Sequence, residues 1–118
     1  MAMNERSLYQ RVMLDEAVFC SDFAAADKES AVRAMVHRLL DGKGYSVNVI
    51  ESIIRGIIRR EEFGTTGLGM GIAAPYICGP VNDTHFGWFL CRAGVGFNAI
   101  DDEPVYLLAC TISPRTAP

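Results

Sequence analysis

The apolar positions between residues 27 and 41 fall at Ala31, Val32, Met35, Val36, Leu39 and Leu40, an i, i+1, i+4, i+5 spacing that lines one face of a helix. Asp27 is a good N-cap. Gly42 and Gly44 stop the helix, because glycine takes the left-handed C-terminal conformation without a Cβ penalty. A second helix is expected to start after Ser46 or Asn48, with Glu51 in capping-box spacing from Asn48. Its buried face is Ile50, Ile53, Ile54, Ile57 and Ile58, with Arg55, Arg59 and Glu62 opposite. His37 falls on the polar side of the first helix and is expected to be an exposed residue without a partner carboxylate.

Two such helices joined by a short turn need a surface to cover. Phe86 to Arg92 and Val105 to Ile112 are short, apolar and β-rich, and Pro104 marks the start of the second. Their near-continuous apolar character predicts strands covered on both faces. Ile72 to Ala74 is a third candidate strand and Val18 to Cys20 a fourth. The fold class is α/β, with a central mixed β-sheet flanked by helices. Trp88, Phe86 and Phe89 are expected in the core of a two-sided strand rather than as a stacking platform.

The 118 residues suit one domain, residues 1–118. Half of them are hydrophobic and 21% are charged, a globular composition. The net charge of −3 and the lack of a basic stripe argue against nucleic-acid binding. The cluster Arg59-Arg60-Glu61-Glu62 reads as a solvated helix end. Glu5, Arg6, Arg11 and Asp15 interrupt the N-terminal apolar residues, so neither a signal peptide nor a membrane span is expected, and the chain is expected to be cytoplasmic. Cys20, Cys78, Cys91 and Cys110 lack metal-site spacing and read as buried, reduced thiols, so no metal or cofactor is implied. Asn82-Asp83-Thr84 matches a glycosylation sequon, which is idle in a chain that is not secreted.

The informative segment is Arg60-Glu-Glu-Phe-Gly-Thr-Thr-Gly-Leu-Gly-Met-Gly-Ile-Ala-Ala-Pro-Tyr76. Gly64, Gly67, Gly69 and Gly71 permit close approach of a ligand or positive φ angles, and Thr65 and Thr66 add hydroxyls. The segment lacks the Lys-Ser/Thr of a P-loop and the dinucleotide fingerprint, and it follows a helix instead of a strand, so nucleotide binding is not implied.

This segment resembles the signature of the type-2 IIA domains of the phosphotransferase system, the fructose, mannitol and nitrogen-regulatory group, which reads approximately R-E-x-x-G-[ST]-T-G-[IL]-G-x-G-[IV]-A-[IL]-P-H. Arg60, Glu61, Gly64, Thr66, Gly67, Leu68, Gly69, Gly71, Ile72, Ala73 and Pro75 match it. A second block, Val95-Gly-Phe-Asn-Ala-Ile-Asp-Asp-Glu-Pro-Val-Tyr-Leu-Leu, resembles the family's later V-x-F-x-A-I-D-G-x-P-V-x-L motif. The resemblance runs from about Val18 to Pro114 and implies a three-layer sandwich with helices on both faces of a mixed sheet.

Two departures stand out. The residue at the position of the family's phosphorylated histidine is Tyr76, and the helices that follow the family's last strand, with a second active-site histidine, have no counterpart before Pro118. Phosphohistidine is a phosphoramidate of high transfer potential, whereas phosphotyrosine is a stable ester. A phenol is also almost wholly protonated at neutral pH, whereas a neutral imidazole is nucleophilic without activation.

The resemblance therefore implies a site of Tyr76 at the acceptor position, inactive in relay, with Arg60, Thr65, Thr66, Gly67, Gly69 and Gly71 as phosphate-binding residues. Its implied partner is an HPr-like phosphocarrier or a regulated protein. The first functional expectation is a regulatory binding module that relays nothing. The alternative is a phosphocarrier accepting from HPr on another residue. His85 is a loop histidine facing solvent, and Cys78 lies on the same side of an extended segment as Tyr76, with a small buried side chain as its plainer reading. Asp101, Asp102 and Glu103 read as a solvated turn. A chain short of the family's terminal helices would leave one sheet face bare and favour a homo-oligomer or a partner helix.

Overall fold

The computed structural model describes residues 10–115. The residues before 10, including Glu5 and Arg6, and the three after 115 lie outside the described part. Asp27 caps α1 (Lys28–Leu40): its carboxylate accepts from the Ser30 N–H at 2.8 Å, and the Ser30 hydroxyl receives the Asp27 N–H in return. Gly42 and Gly44 follow at φ +78° and +90°. Helix α2 (Val47–Phe63) is capped by Ser46, whose hydroxyl accepts from the Val49 N–H at 3.1 Å. The Asn48–Glu51 capping box does not form, because Glu51 instead accepts from Arg33 Nη1 of α1 at 2.8 Å. His37 is half-exposed, and its Nδ1 lies 3.0 Å from Asp41 Oδ1 one turn on, so it does have a carboxylate partner.

The strands are β1 (Val18–Cys20), β2 (Gly67–Gly69), β3 (Ile72–Ala73), β4 (Tyr76–Gly79), β5 (His85–Val95) and β6 (Val105–Pro114). Their order is β1-β5-β6-β3-β2, with β4 paired to the far end of β6. β1 runs parallel to β5, β3 and β4 run parallel to β6, and the β5–β6 and β2–β3 pairs are antiparallel. The sheet is therefore mixed, as expected. β2 and β4 are strands where the sequence pattern showed only a glycine loop and its continuation.

The expected faces of both helices pack on one side of this sheet. Ala31, Val32, Met35, Val36 and Leu40 of α1 and Ile54 and Ile57 of α2 are fully enclosed against Phe89, Leu108 and Ile112. Truncating Met35, Leu40, Ile54 or Ile57 to Ala would cost about 2–5 kcal/mol, since the close-packed surroundings relax only partly. Gly87 lets Leu39 approach the sheet.

The other sheet face departs from the two-sided expectation. A five-residue π-helical turn (Arg11–Asp15) packs near β5, where the Met13 carbonyl accepts from Trp88 Nε1 at 2.9 Å. Beyond it Phe19 is 59% exposed, and Trp88 and Leu90 are only half-buried. Both long helices lie on the opposite face. Trp88 thus sits outside the core that holds Phe89. Cys91 and Cys110 are buried as expected, whereas Cys20 is half-buried and Cys78 exposed.

Candidate functional site

Arg60 lies in the last turn of α2, where the carbonyl end of the helix dipole favours a cation. Tyr76 opens β4 directly after Pro75 and is 48% exposed. The two meet: Arg60 Nη2 donates to the Tyr76 hydroxyl at 2.8 Å, and the guanidinium carbon stands 4.9 Å from the ring centroid. This hydrogen bond, first among the causes, raises the Arg60 pKa further above its usual value.

The residue between Arg60 and Glu62 overturns the reading of this helix end as wholly solvated. Glu61 is buried and accepts from the Thr66 N–H through both carboxylate oxygens at 3.1 Å. It also accepts from the Thr66 hydroxyl, and from Lys28 Nζ at 3.0 Å. Burying a carboxylate is costly unless its oxygens are filled, and here three donor groups fill them. Lys28 in turn stands 4.8 Å from the Phe97 ring centroid. Glu61 is the residue missed from sequence. Its signal was its place in the first motif block beside Arg60.

The threonines and glycines build the scaffold around this clamp. The Thr65 hydroxyl donates to the Phe97 carbonyl at 2.7 Å and accepts from the Gly67 N–H at 2.9 Å. A Cβ on Gly67 would lie 2.8 Å from Ala99 Cα, so the close approach of these two backbones requires glycine. Met70 and Gly71, at φ +57° and +80°, form the two-residue turn between β2 and β3, the positive-φ pair that a tight hairpin demands. Asp101 holds this turn by accepting from the Met70 N–H at 2.9 Å. That bond, followed by the one from the Glu103 N–H, keeps its carboxyl below the usual range. Gly69 flanks the turn, beside Ile100 and Asp101. Asp101, Asp102 and Glu103 are exposed, as a turn requires.

Arg60 and Tyr76 are thus brought together. Thr65, Thr66 and Gly67 gather around Glu61 and Phe97, and Gly69 and Gly71 form the hairpin tip.

His85 is neither in a loop nor freely solvated. It opens β5 and is half-buried, with its Nε2 2.8 Å from the Tyr45 hydroxyl. Burial, the leading cause, lowers its pKa. Register separates it from Tyr76. Tyr76 pairs with Thr111, and Thr111 with Phe86, while His85 pairs with Ile112 one residue along. Successive residues point to opposite faces, so His85 and Tyr76 lie on opposite sides of the sheet. Cys78 shares the outward side with Tyr76, and its exposure overturns the buried reading. Ile77 and Gly79 turn inward against Gly56 and Ile53 of α2. Among the described residues no group of three or more His, Cys, Asp or Glu side chains is arranged to hold a metal ion. No helix among them is long and apolar enough to cross a membrane.

The site is thus an arginine–tyrosine pair at the end of a helix that backs a mixed sheet. Residues 12–117 match the model of the family described as phosphoenolpyruvate-dependent sugar phosphotransferase system, EIIA 2, and the chain belongs to that family.

Among solved structures it is similar to the nitrogen regulatory protein IIA-Ntr from Neisseria meningitidis. The identity is 26% over 84% of this chain and 66% of that one, with a TM-score of 0.71. It shares its fold with the mannitol IIA of Escherichia coli, at 24% identity over 81% of this chain and 68% of that one, with a TM-score of 0.64. The Escherichia coli mannitol IIA solved in complex with phosphorylated IIB is similar at 23% identity, over 83% of this chain and 68% of that one, with a TM-score of 0.65. The chain spans just under two thirds, 66%, of the length of the nitrogen regulatory relative. Comparison with curated protein sequences gives no match.

Proposed function

We propose that this chain is a IIA-like regulatory module of one domain, working in the cytoplasm, which binds a protein partner and relays no phosphoryl group. The observation that carries this reading is the Tyr76 hydroxyl, at the position of the family's acceptor histidine, receiving the Arg60 guanidinium at 2.8 Å. The arginine that would neutralise an incoming phosphoryl group is engaged with a phenol. An ester formed on that phenol would end the relay, because its P–O bond lacks the transfer potential of a phosphoramidate. No rescue comes from His85, on the other face and held by Tyr45.

The partner surface in this reading is the hairpin running from Thr65 to Tyr76. Leu68 and Met70, 59% and 93% exposed, present apolar side chains there. The similar mannitol IIA was solved bound to a phosphorylated IIB protein, which supports a protein as the class of partner.

The test is incubation with phosphoenolpyruvate, enzyme I and HPr beside a Tyr76→His variant. The expected result is acid-labile phosphate on the variant alone. Label on the native chain overturns the reading.

A further inference from the structure

A cleft of about 540 Å³ lies between α2 and the strand β4, and neither Arg60 nor Tyr76 lines it. Arg55 and Arg59, one turn apart on α2, line one wall, and Arg115 lines the end beyond β6. Ile53 and Ile77 give it an apolar floor, and the exposed Cys78 borders it. No ion pair among the described residues engages any of these three arginines. Glu51, the carboxylate in the wall, is taken by Arg33 at 2.8 Å. A concentration of unpaired guanidinium groups in a chain of net charge −3 is a local feature, not the background of the surface.

The second observation is the edge. Among the described residues β4 pairs with β6 alone, so its other side offers N–H and C=O groups alongside the cleft. A segment added there would direct alternate side chains toward α2, where the arginines stand.

We propose that this edge and cleft bind an extended acidic segment of a partner protein. The segment adds a strand to β4 and places carboxylates at every second position against Arg55, Arg59 and Arg115. Guanidinium groups match carboxylates in planar, two-point hydrogen bonding, and the strand supplies the backbone bonds. The Arg60 and Tyr76 side chains do not line this cleft, so the site does not depend on the phosphoryl question.

The experiment selects short random peptides on the native chain and on an Arg55→Glu/Arg59→Glu variant, with inorganic pyrophosphate titrated separately as a small-anion probe. The native chain should enrich peptides with alternating Asp or Glu. The best of these should bind the variant about tenfold more weakly or worse, while the variant enriches basic peptides. Bound peptide should also slow alkylation of Cys78. If the double variant fails to fold, Arg55→Gln and Arg59→Gln singly should each weaken the acidic peptide. Peptides without acidic bias, or acidic peptides that ignore the substitutions, overturn the proposal. Arginine-dependent binding of pyrophosphate without peptide enrichment overturns it too and assigns the cleft to small anions.

Discussion

The Arg60 guanidinium both donates to the Tyr76 hydroxyl at 2.8 Å and rests 4.9 Å from the centre of its ring. The pair places the Arg60 guanidinium against the side chain at position 76. In a Tyr76→His background, Arg60→Ala should therefore slow phosphoryl uptake from HPr by about 10²-fold, the scale of losing one preorganised donor to a developing negative charge. Initial rates of label incorporation check this. Equal rates would show that Arg60 does not reach the transferred group.

Glu61 should matter to stability more than any other surface-proximal charge. Its side chain is nearly closed off and collects donors from Thr66 and Lys28. Glu61→Ala leaves the Thr66 N–H and an ammonium group unpaired in a partly dry site and should cost about 3–4 kcal/mol in urea unfolding. Thr66→Ser keeps the hydroxyl and should cost about 1 kcal/mol or less. A loss below about 1 kcal/mol for Glu61→Ala would mean that the clamp does not hold the loop.

Two glycines should respond differently to alanine. In Gly67→Ala the new methyl meets Ala99 Cα, a backbone atom that cannot rotate away, and the expected cost is about 2–3 kcal/mol. In Gly56→Ala the methyl meets only the Cδ1 tip of Ile77, which can change rotamer. The helix interior gains about 1 kcal/mol from replacing glycine, so the net change should be near zero. Urea midpoints of the two variants measure the contrast.

Cysteine accessibility separates the thiols. Cys78 should react with a thiol reagent in the native protein, Cys20 more slowly, and Cys91 and Cys110 only on unfolding. Full burial pushes the Cys110 thiol up to about 12, so no thiolate is available there at ordinary pH. Mass spectrometry of native and denatured samples reads this directly. Labelling of Cys110 in the folded protein would contradict its enclosure.

What was legible in the sequence follows from which interactions are local. The apolar stripes of α1 and α2 repeat every turn, so Met35 and Ile54 announced their burial, and Asp27 and Gly42 marked the ends. β5 and β6 were visible because long β-rich runs need little context. β4 was not, since Tyr76 finds its pairing partner in Thr111, far along the chain. β2 was hidden because glycine carries no side-chain pattern. Glu61 looked solvated because charge alone does not show which donors the chain brings to it. The His37–Asp41 contact was local, one turn along α1, and its i, i+4 spacing was open to view. The paired motif blocks located the site, whereas the Arg60–Tyr76 contact and the Thr66–Glu61 clamp needed three dimensions.

His85 predicts a pH dependence whose sign follows from its surroundings. Burial lowers its folded pKa below the ordinary value of about 6.5, so the unfolded chain binds a proton more readily than the folded one. Lys43 adds to the lowering, and Asp83 opposes it. The contribution of neutral His85 is intact above pH ~6.5. It is lost as pH falls from there through the lower folded value, where the charged imidazole is disfavoured inside. The Tyr45 hydroxyl, 2.8 Å from Nε2, is its hydrogen-bond partner. Urea unfolding between pH 7.5 and 5.5 should show stability falling for the native protein, with a smaller slope for His85→Gln. Equal slopes would place the titration elsewhere, and a native protein more stable at the acidic end would reverse the assigned sign.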